Sequence, residues 1–252
     1  MRTFDELEKR IVEHSQRVLK EAIRLKERMI SPIALSSVYK RKWELEAAEV
    51  VSEFLGERVT LLGKDSGLSK GEGAWVCLCD LLDGSKNFLA GTKFYSYSLA
   101  LARGEELVYA IVVDLETMSV YRAEKGKGST LNGEDLREMA LRRAYRYDVI
   151  SSNVSLPGVD AMTMRCSSLE LCALAQGSAW VAIGDTWNID IAAGYLIALE
   201  SGNLFYSWDL RPWKLPVREY TRVRYIAGTE KALAEFIEKH GEKLRRVNLQ
   251  SS

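Results

Sequence analysis

Residues Ala74 to Cys79 (AWVCLC) form an almost wholly apolar run that stops at Asp80. Such a run reads as a strand buried on both faces, so the rest of the chain must cover a sheet from either side. The stretch after it, DLLDGSKNF (Asp80 to Phe88), sets two carboxylates, a glycine and a hydroxyl within six positions. Functional groups are expected at that strand end. An Asp-Gly turn also has a purely structural reading, because it satisfies local backbone geometry without a ligand.

The 252 residues, 47% of them hydrophobic, suffice for one unit spanning residues 1–252, with approximate halves 1–135 and 136–252. Phe4, Leu7, Ile11, Val18, Ile23 and Leu25 recur at near-helical spacing and predict an amphipathic helix to about Arg28. A second helix is expected over Trp43 to Leu55, stopped by Gly56. Tyr95–Ala102, Leu107–Asp114 and Met118–Ala123 read as strands, the last two joined as a hairpin by the Asp114–Thr117 turn. Later come a loop at Lys125–Glu134, a helical or irregular stretch at Asp135–Arg143, a helix at Ser167–Gln176 and a short strand at Ala179–Ile183. A small-residue helix over Asp190–Glu200 and a final helix capped by Thr229 and reaching Lys239 complete the pattern. Helices and strands mixed in this order predict an α+β or mixed α/β architecture.

Lys plus Arg and Asp plus Glu each number 35, so no basic excess favours nucleic acid. The start, MRTFDELEKR, lacks a signal-like apolar core, and no segment nears the roughly 18 apolar residues of a membrane span. A cytoplasmic protein with a small-molecule partner, no nucleic acid and no membrane is the expectation. Cys77, Cys79, Cys166 and Cys172 do not match zinc spacing and read as reduced core thiols. His14 and His240 have no partner signature.

Asp80, Asp83 and the Leu82 carbonyl between them offer hard oxygens of the kind Mg²⁺ prefers. Gly84 lets backbone approach a ligand, and Ser85 brings a hydroxyl and an amide to a helix start, where anions are favoured. The pattern continues past this point. DLLDGSKNFLAGTKFYSYSLALA resembles the first signature of the inositol monophosphatase-like family of metal-dependent sugar phosphatases, with Leu81 for the usual proline and Ser85 for threonine. KGKGSTLNGE (Lys125 to Glu134), SSLELCALAQG (Ser167 to Gly177) and WNIDIAAGYLIALESGN (Trp187 to Asn203) resemble further family motifs, in the family's order.

The resemblance implies an α+β fold, a layered α-β-α-β-α sandwich of the sugar phosphatase type. It also implies a Mg²⁺-dependent phosphomonoesterase for a sugar or inositol phosphate, such as inositol monophosphate or fructose 1,6-bisphosphate, and a homodimer. Asp80, Leu82, Asp83 and Asp190 fall on its metal positions, Gly84 and Ser85 on its phosphate-contacting turn. Asp190 has a rival reading as a cap or first-turn acid of its helix. Arg165 and Glu170 near the third motif, and Asp185 out of register before the second signature, are candidates for substrate contact. Metal ions would screen the substrate, acidify a water and stabilise the leaving group.

Two departures strike the water-activating side. LLGKDSG puts Lys64 where the family carries its first Glu, with Asp65 beside it. Upstream, ALSSVYKRKWELEAAE has Ser36 or Ser37 for a threonine, Lys40 or Lys42 near an expected Asp, and Glu44 or Glu46 as the following helix acid. Lys64 is expected to take the place of one metal, pairing with Asp80 or with substrate phosphate. Three outcomes stay open: a phosphatase with fewer ions, Asp65 as the missing ligand and catalytic acid, or a degenerate protein that binds a phosphorylated metabolite or a protein partner without turnover.

Overall fold

The computed structural model describes residues 3–152, 154–156 and 158–250; Met1, Arg2, Ser251 and Ser252, the ends of the expected unit, lie outside the described residues. Helix α1 (Phe4–Glu27) buries Leu7, Ile11, His14, Val18, Ala22 and Leu25, one inward stripe at three- and four-residue spacing. A single turn, α2 (Pro32–Ala34), leads through a π-helical segment (Leu35–Lys40) into α3 (Arg41–Leu55). Gly56 ends α3 in the left-handed conformation, as the sequence predicts.

Strands β1 (Thr60–Gly63), β2 (Gly67–Ser69) and β3 (Trp75–Asp83) come next, then the short helix α4 (Ser85–Ala90). Strands β4 (Ser96–Arg103), β5 (Glu106–Asp114), β6 (Val120–Glu124), β7 (Gly128–Leu131) and β8 (Glu134–Asp135) complete one eight-stranded sheet, ordered β2-β1-β3-β4-β5-β6-β7-β8. The stretch left open as helical or irregular is a helix, α5 (Leu136–Arg142), capped by Asp135, which accepts the Glu138 amide at 2.9 Å.

Beyond it lie β9 (Tyr147–Ser152), β10 (Met162–Thr163), α6 (Ser167–Ala175), β11 (Ala179–Trp187), α7 (Asn188–Glu200), β12 (Leu204–Ser207), β13 (Arg222–Gly228) and α8 (Glu230–Gln250). Five of these strands form a second sheet, β10-β9-β11-β13-β12. Helix α8 runs well past the expected end at Lys239, because Leu244 and Val247 still find apolar partners on this sheet.

Alternation along the strands builds the layers. Cys77, Cys79, Leu99 and Ile111 pack with Leu7, Ile11 and Trp43 of α1 and α3. Their neighbours Val76, Leu78, Ala100 and Val112 face the other way, onto α6 and α7. In the second sheet Ile150, Ala182 and Tyr225 meet that same helical layer, while Val149, Val181, Ile183 and Ile226 meet α8. The architecture is the expected α-β-α-β-α sandwich. Helices α6 and α7 are buried on nearly all sides, which explains their lack of an apolar stripe. No described helix is long and apolar enough to cross a membrane.

Candidate active site

Strand β3 carries the apolar run and the first two aspartates, and it extends to Asp83 rather than ending at Cys79. Regular alternation would send Asp80 and Asp83 to opposite faces. The pairing with β4 shifts register between them, and Leu81 and Leu82 both pack toward α1 and α3. This irregularity re-aims the strand end as a bulge does. Asp80 and Asp83 are only 4% and 8% exposed.

Each carboxylate has defined partners. Asp83 Oδ2 accepts the Ser168 amide at 2.9 Å and the Ser168 hydroxyl at 2.7 Å, with the Cys166 thiol 3.3 Å away. These donors come from the first turn of α6, so one half of the chain holds the acid of the other. Burial, together with the charges of Asp80 and Asp190, pushes the Asp83 carboxyl up to about 7. Asp80 Oδ1 accepts the Leu82 amide at 3.2 Å. Asp190 lies in the first turn of α7, where its Oδ2 accepts the Thr186 hydroxyl at 2.6 Å and the Trp187 amide at 3.3 Å. Its helix-start role is therefore real, and it is joined by a second partner.

That partner is Lys64. It follows β1 directly and its amide donates to the Cys79 carbonyl at 3.0 Å, continuing the parallel pairing of β1 with β3 toward the site. The Lys64 ammonium lies 2.7 Å from Asp190 Oδ1. The expected partner Asp80 is thereby corrected to Asp190. Burial alone would lower the Lys64 pKa, but Asp190, Asp80 and Tyr220 together raise it. Its side chain stays 27% exposed, open to solvent on one side.

The upstream segment contributes Ser36, Lys40 and Glu44, spaced by four residues. Lys40, not Lys42, is the site lysine: its ammonium lies 2.8 Å from Asp65 Oδ2 and 2.9 Å from Asp80 Oδ1, and the residue is 5% exposed. Lys42 instead lies on the surface against Glu21. Ser36 donates to Asp65, whereas Ser37 bonds the Ile33 carbonyl. Glu44 accepts the amides of Asp65 at 3.1 Å and Ser66 at 2.6 Å. Burial, with Asp80 and Asp65 nearby, pushes the Glu44 carboxyl up to about 7. A Cβ on Gly63 would stand 2.1 Å from Ser66 Oγ and 2.4 Å from Glu44 Oε2, so a larger residue there would displace both side chains.

The turn that the resemblance assigns to phosphate contact is a tight glycine turn leading into α4. Gly84 sits at φ 78° before α4, and a Cβ there would come 2.7 Å from the Phe94 carbonyl oxygen. Asn87 of the same motif is structural, since its Nδ2 donates to the carbonyls of Phe94 and Met164 at 2.8 and 2.7 Å and fixes the turn against the segment before α6.

The candidate substrate residues divide. Glu170 is buried and accepts the amides of Met164 and Arg165 at 2.9 and 2.8 Å, so it clamps a loop instead of facing solvent. The clamp holds Arg165 at φ 56° with its side chain exposed. Asp185 is not brought to the site. Strand alternation turns it away from Thr186, and it pairs with Arg222 at 2.5 Å and Arg224 at 3.2 Å. His14 packs in the core with its Nδ1 2.9 Å from the Tyr97 hydroxyl, and all four cysteines are free and buried, as expected. Sequence reasoning missed Ser168, Thr186 and Cys166. Only Thr186, four residues before Asp190, had a spacing that could have suggested contact.

The donor set bears on the implied Mg²⁺. Among the described residues the acids close enough to share an ion are Glu44, Asp65 and Asp80, whose ligand atoms lie within 4.8 Å of one another. The triad Asp80, Asp83 and Asp190 forms no such group. Two of the three clustered acids already hold the Lys40 ammonium, and Asp190 holds that of Lys64. As arranged, these carboxylates fit ammonium groups and not divalent ions.

Comparison with known proteins agrees with the fold and with the family resemblance. The model of the inositol monophosphatase family matches residues 36–245. The inositol-1-monophosphatase of Rhizobium meliloti is 30% identical over 217 residues, covering 78% of this chain and 77% of that protein. The fructose-1,6-bisphosphatase/inositol-1-monophosphatase of Methanocaldococcus jannaschii is 25% identical over 193 residues, covering 71% and 75%. Among solved structures, the extragenic suppressor protein SuhB of Bartonella henselae superposes with a TM-score of 0.75 at 21% identity, covering 95% of this chain and 98% of that one. With one family model running from the π-helical segment into α8, across both sheets and every motif of the site, the chain belongs to the inositol monophosphatase family.

Proposed function

We propose that this chain is a phosphoric monoester hydrolase acting on a sugar or inositol phosphate. The observation that supports it is the placement of two ammonium groups at the ends of β1 and β3, Lys40 at 2.9 Å from Asp80 and Lys64 at 2.7 Å from Asp190, where the family motifs put their acids. Relatives named for inositol-1-monophosphatase and fructose-1,6-bisphosphatase activity support this substrate class. In this reading the entering phosphate is received by Lys64, whose ammonium has three donors and is partly open to solvent, and by the Gly84–Ser85 turn. Asp65, oriented by Ser36 and Lys40, is the acid that positions the attacking water, and the exposed Arg165 faces the sugar. Positioning and electrostatics then carry the catalysis. Phosphate release from a sugar-phosphate panel, measured in Mg²⁺ and in EDTA, tests it and separates an ion-dependent hydrolase from one working on its lysines. A folded protein that releases no phosphate in either condition refutes it.

A second reading, binding of a phosphorylated metabolite without turnover, is favoured by the lysines that hold the carboxylates. It predicts a rise in melting temperature with inositol phosphate and no phosphate release. The homodimer implied by the resemblance belongs to both readings, and light scattering checks it.

A further inference from the structure

We propose that the Lys40 ammonium is a resident cation of this site, filling the Glu44–Asp65–Asp80 cluster so that it takes up no divalent ion there. The inference concerns the same site as the proposed hydrolase and rests on that reading only for its meaning in catalysis.

Geometry carries it. Lys40 bridges two carboxylates at nearly equal distances, 2.8 Å to Asp65 and 2.9 Å to Asp80, as a shared cation would. Its residue is 5% exposed, and a buried ammonium persists only when paired. The third acid of the cluster, Glu44, is turned onto the amides of Asp65 and Ser66, so two N–H groups answer its oxygens. Asp65 is fixed further by the Ser36 hydroxyl.

The backbone is shaped for this placement. The π-helical segment ends at Lys40 itself, where α3 begins. A π-turn inserts an extra residue and so rotates the side chains after it, a device found at functional positions. It puts Lys40 inward, while Val38 stays 56% exposed and Lys42 meets Glu21 on the surface. An ion entering the cluster would have to expel this ammonium from two carboxylates while remaining within a few ångströms of it, where two positive charges repel.

Manganese binding by calorimetry, with the melting temperature read in parallel, tests the inference on wild type, Lys40→Met and Lys40→Gln. Wild type is expected to show no ion bound at this cluster below millimolar concentration. Removal of the ammonium leaves two buried carboxylates facing each other, so each variant is expected to gain one Mn²⁺ per chain at least 100-fold tighter. Mn²⁺ should also raise the variant's melting temperature by several degrees and leave that of wild type unchanged. Adding Asp65→Asn to Lys40→Met should abolish the gain. Micromolar Mn²⁺ binding by wild type that Asp65→Asn abolishes, or folded variants with no gain, overturns the proposal. So does a variant that is unfolded without Mn²⁺ and stays unfolded with it. Because ion uptake is read without substrate, its failure is distinct from a failure to release phosphate.

Discussion

Asp83 and Ser168 join the two halves of the site: the carboxylate ending β3 accepts both the amide and the hydroxyl from the first turn of α6, at 2.9 and 2.7 Å. The same hydroxyl lies 2.7 Å from that of Ser96 on β4. Ser168→Ala removes the side-chain donor and leaves buried oxygens with one partner fewer. A loss of about 1–3 kcal/mol in stability is expected, read by urea unfolding. The Ser168 bonds also hold the Asp83 pKa down against burial and like charge, so any acid limb of the pH–activity profile should move to higher pH. An unchanged unfolding midpoint would show that the contact contributes nothing.

Lys64 offers a separable measurement. Its ammonium pairs with Asp190 yet remains partly exposed. Lys64→Met should weaken inhibition by inorganic phosphate about 10- to 100-fold, the range for losing a charged hydrogen bond. Phosphate inhibition equal to that of wild type would remove Lys64 from the binding step.

Much of this arrangement was legible in residues, and the unreadable part has physical causes. The apolar run before Asp80 announces a doubly covered strand, and the three- and four-residue spacing from Phe4 announces α1. The choice between Lys40 and Lys42 was not legible, because a π-turn changes the angular step per residue and no residue pattern marks where it does so. The sequence does not announce strands β1, β2, β9, β10, β12 and β13, and the stretch Lys125–Glu134 that reads as a loop carries β7 and the start of β8: each takes its identity from neighbours in the sheet more than from its own composition. The partner of Lys64 was misjudged for a related reason, since a side chain on the end of β1 reaches whichever acid the crossing layers bring nearest.

Arg165 is held at φ 56° by the buried Glu170 clamp on its amide. A non-glycine residue in that region carries strain. Arg165→Gly should therefore raise stability by about 1 kcal/mol, offset in part by the freer unfolded chain. If the guanidinium faces the sugar, the same substitution raises KM with little change in kcat. A lowered unfolding midpoint would mean that the arginine side chain stabilises the loop by more than its backbone costs.

Buried groups of opposite sign set the dependence of stability on acid, His14 on one side and the carboxyls of Glu44 and Asp83 on the other. His14 is 1% exposed, and burial pushes its pKa below 6.5 despite Glu46 beside it. In the window below 6.5 the unfolded chain takes a proton that native His14 resists. Its contribution is thus present above 6.5 and is lost as pH falls through the native value. Glu44 has the reverse sign. Pushed up to about 7 from an ordinary 4.5, it binds a proton in the native state that the unfolded chain has released, so its contribution is full below 4.5 and is lost as pH rises through about 7. Each acts with a slope near 1.4 kcal/mol per pH unit at most. Asp83, pushed up to about 7 from an ordinary 3.8, carries the same sign as Glu44, so unfolding by urea in EDTA should show wild-type stability falling as pH rises from 5 to 7. His14→Gln should gain stability on acidification relative to wild type, and Glu44→Gln should lose it. Parallel profiles for all three proteins would mean that neither group keeps its shifted pKa, and the buried Glu44 carboxyl would then be ionised across the whole range.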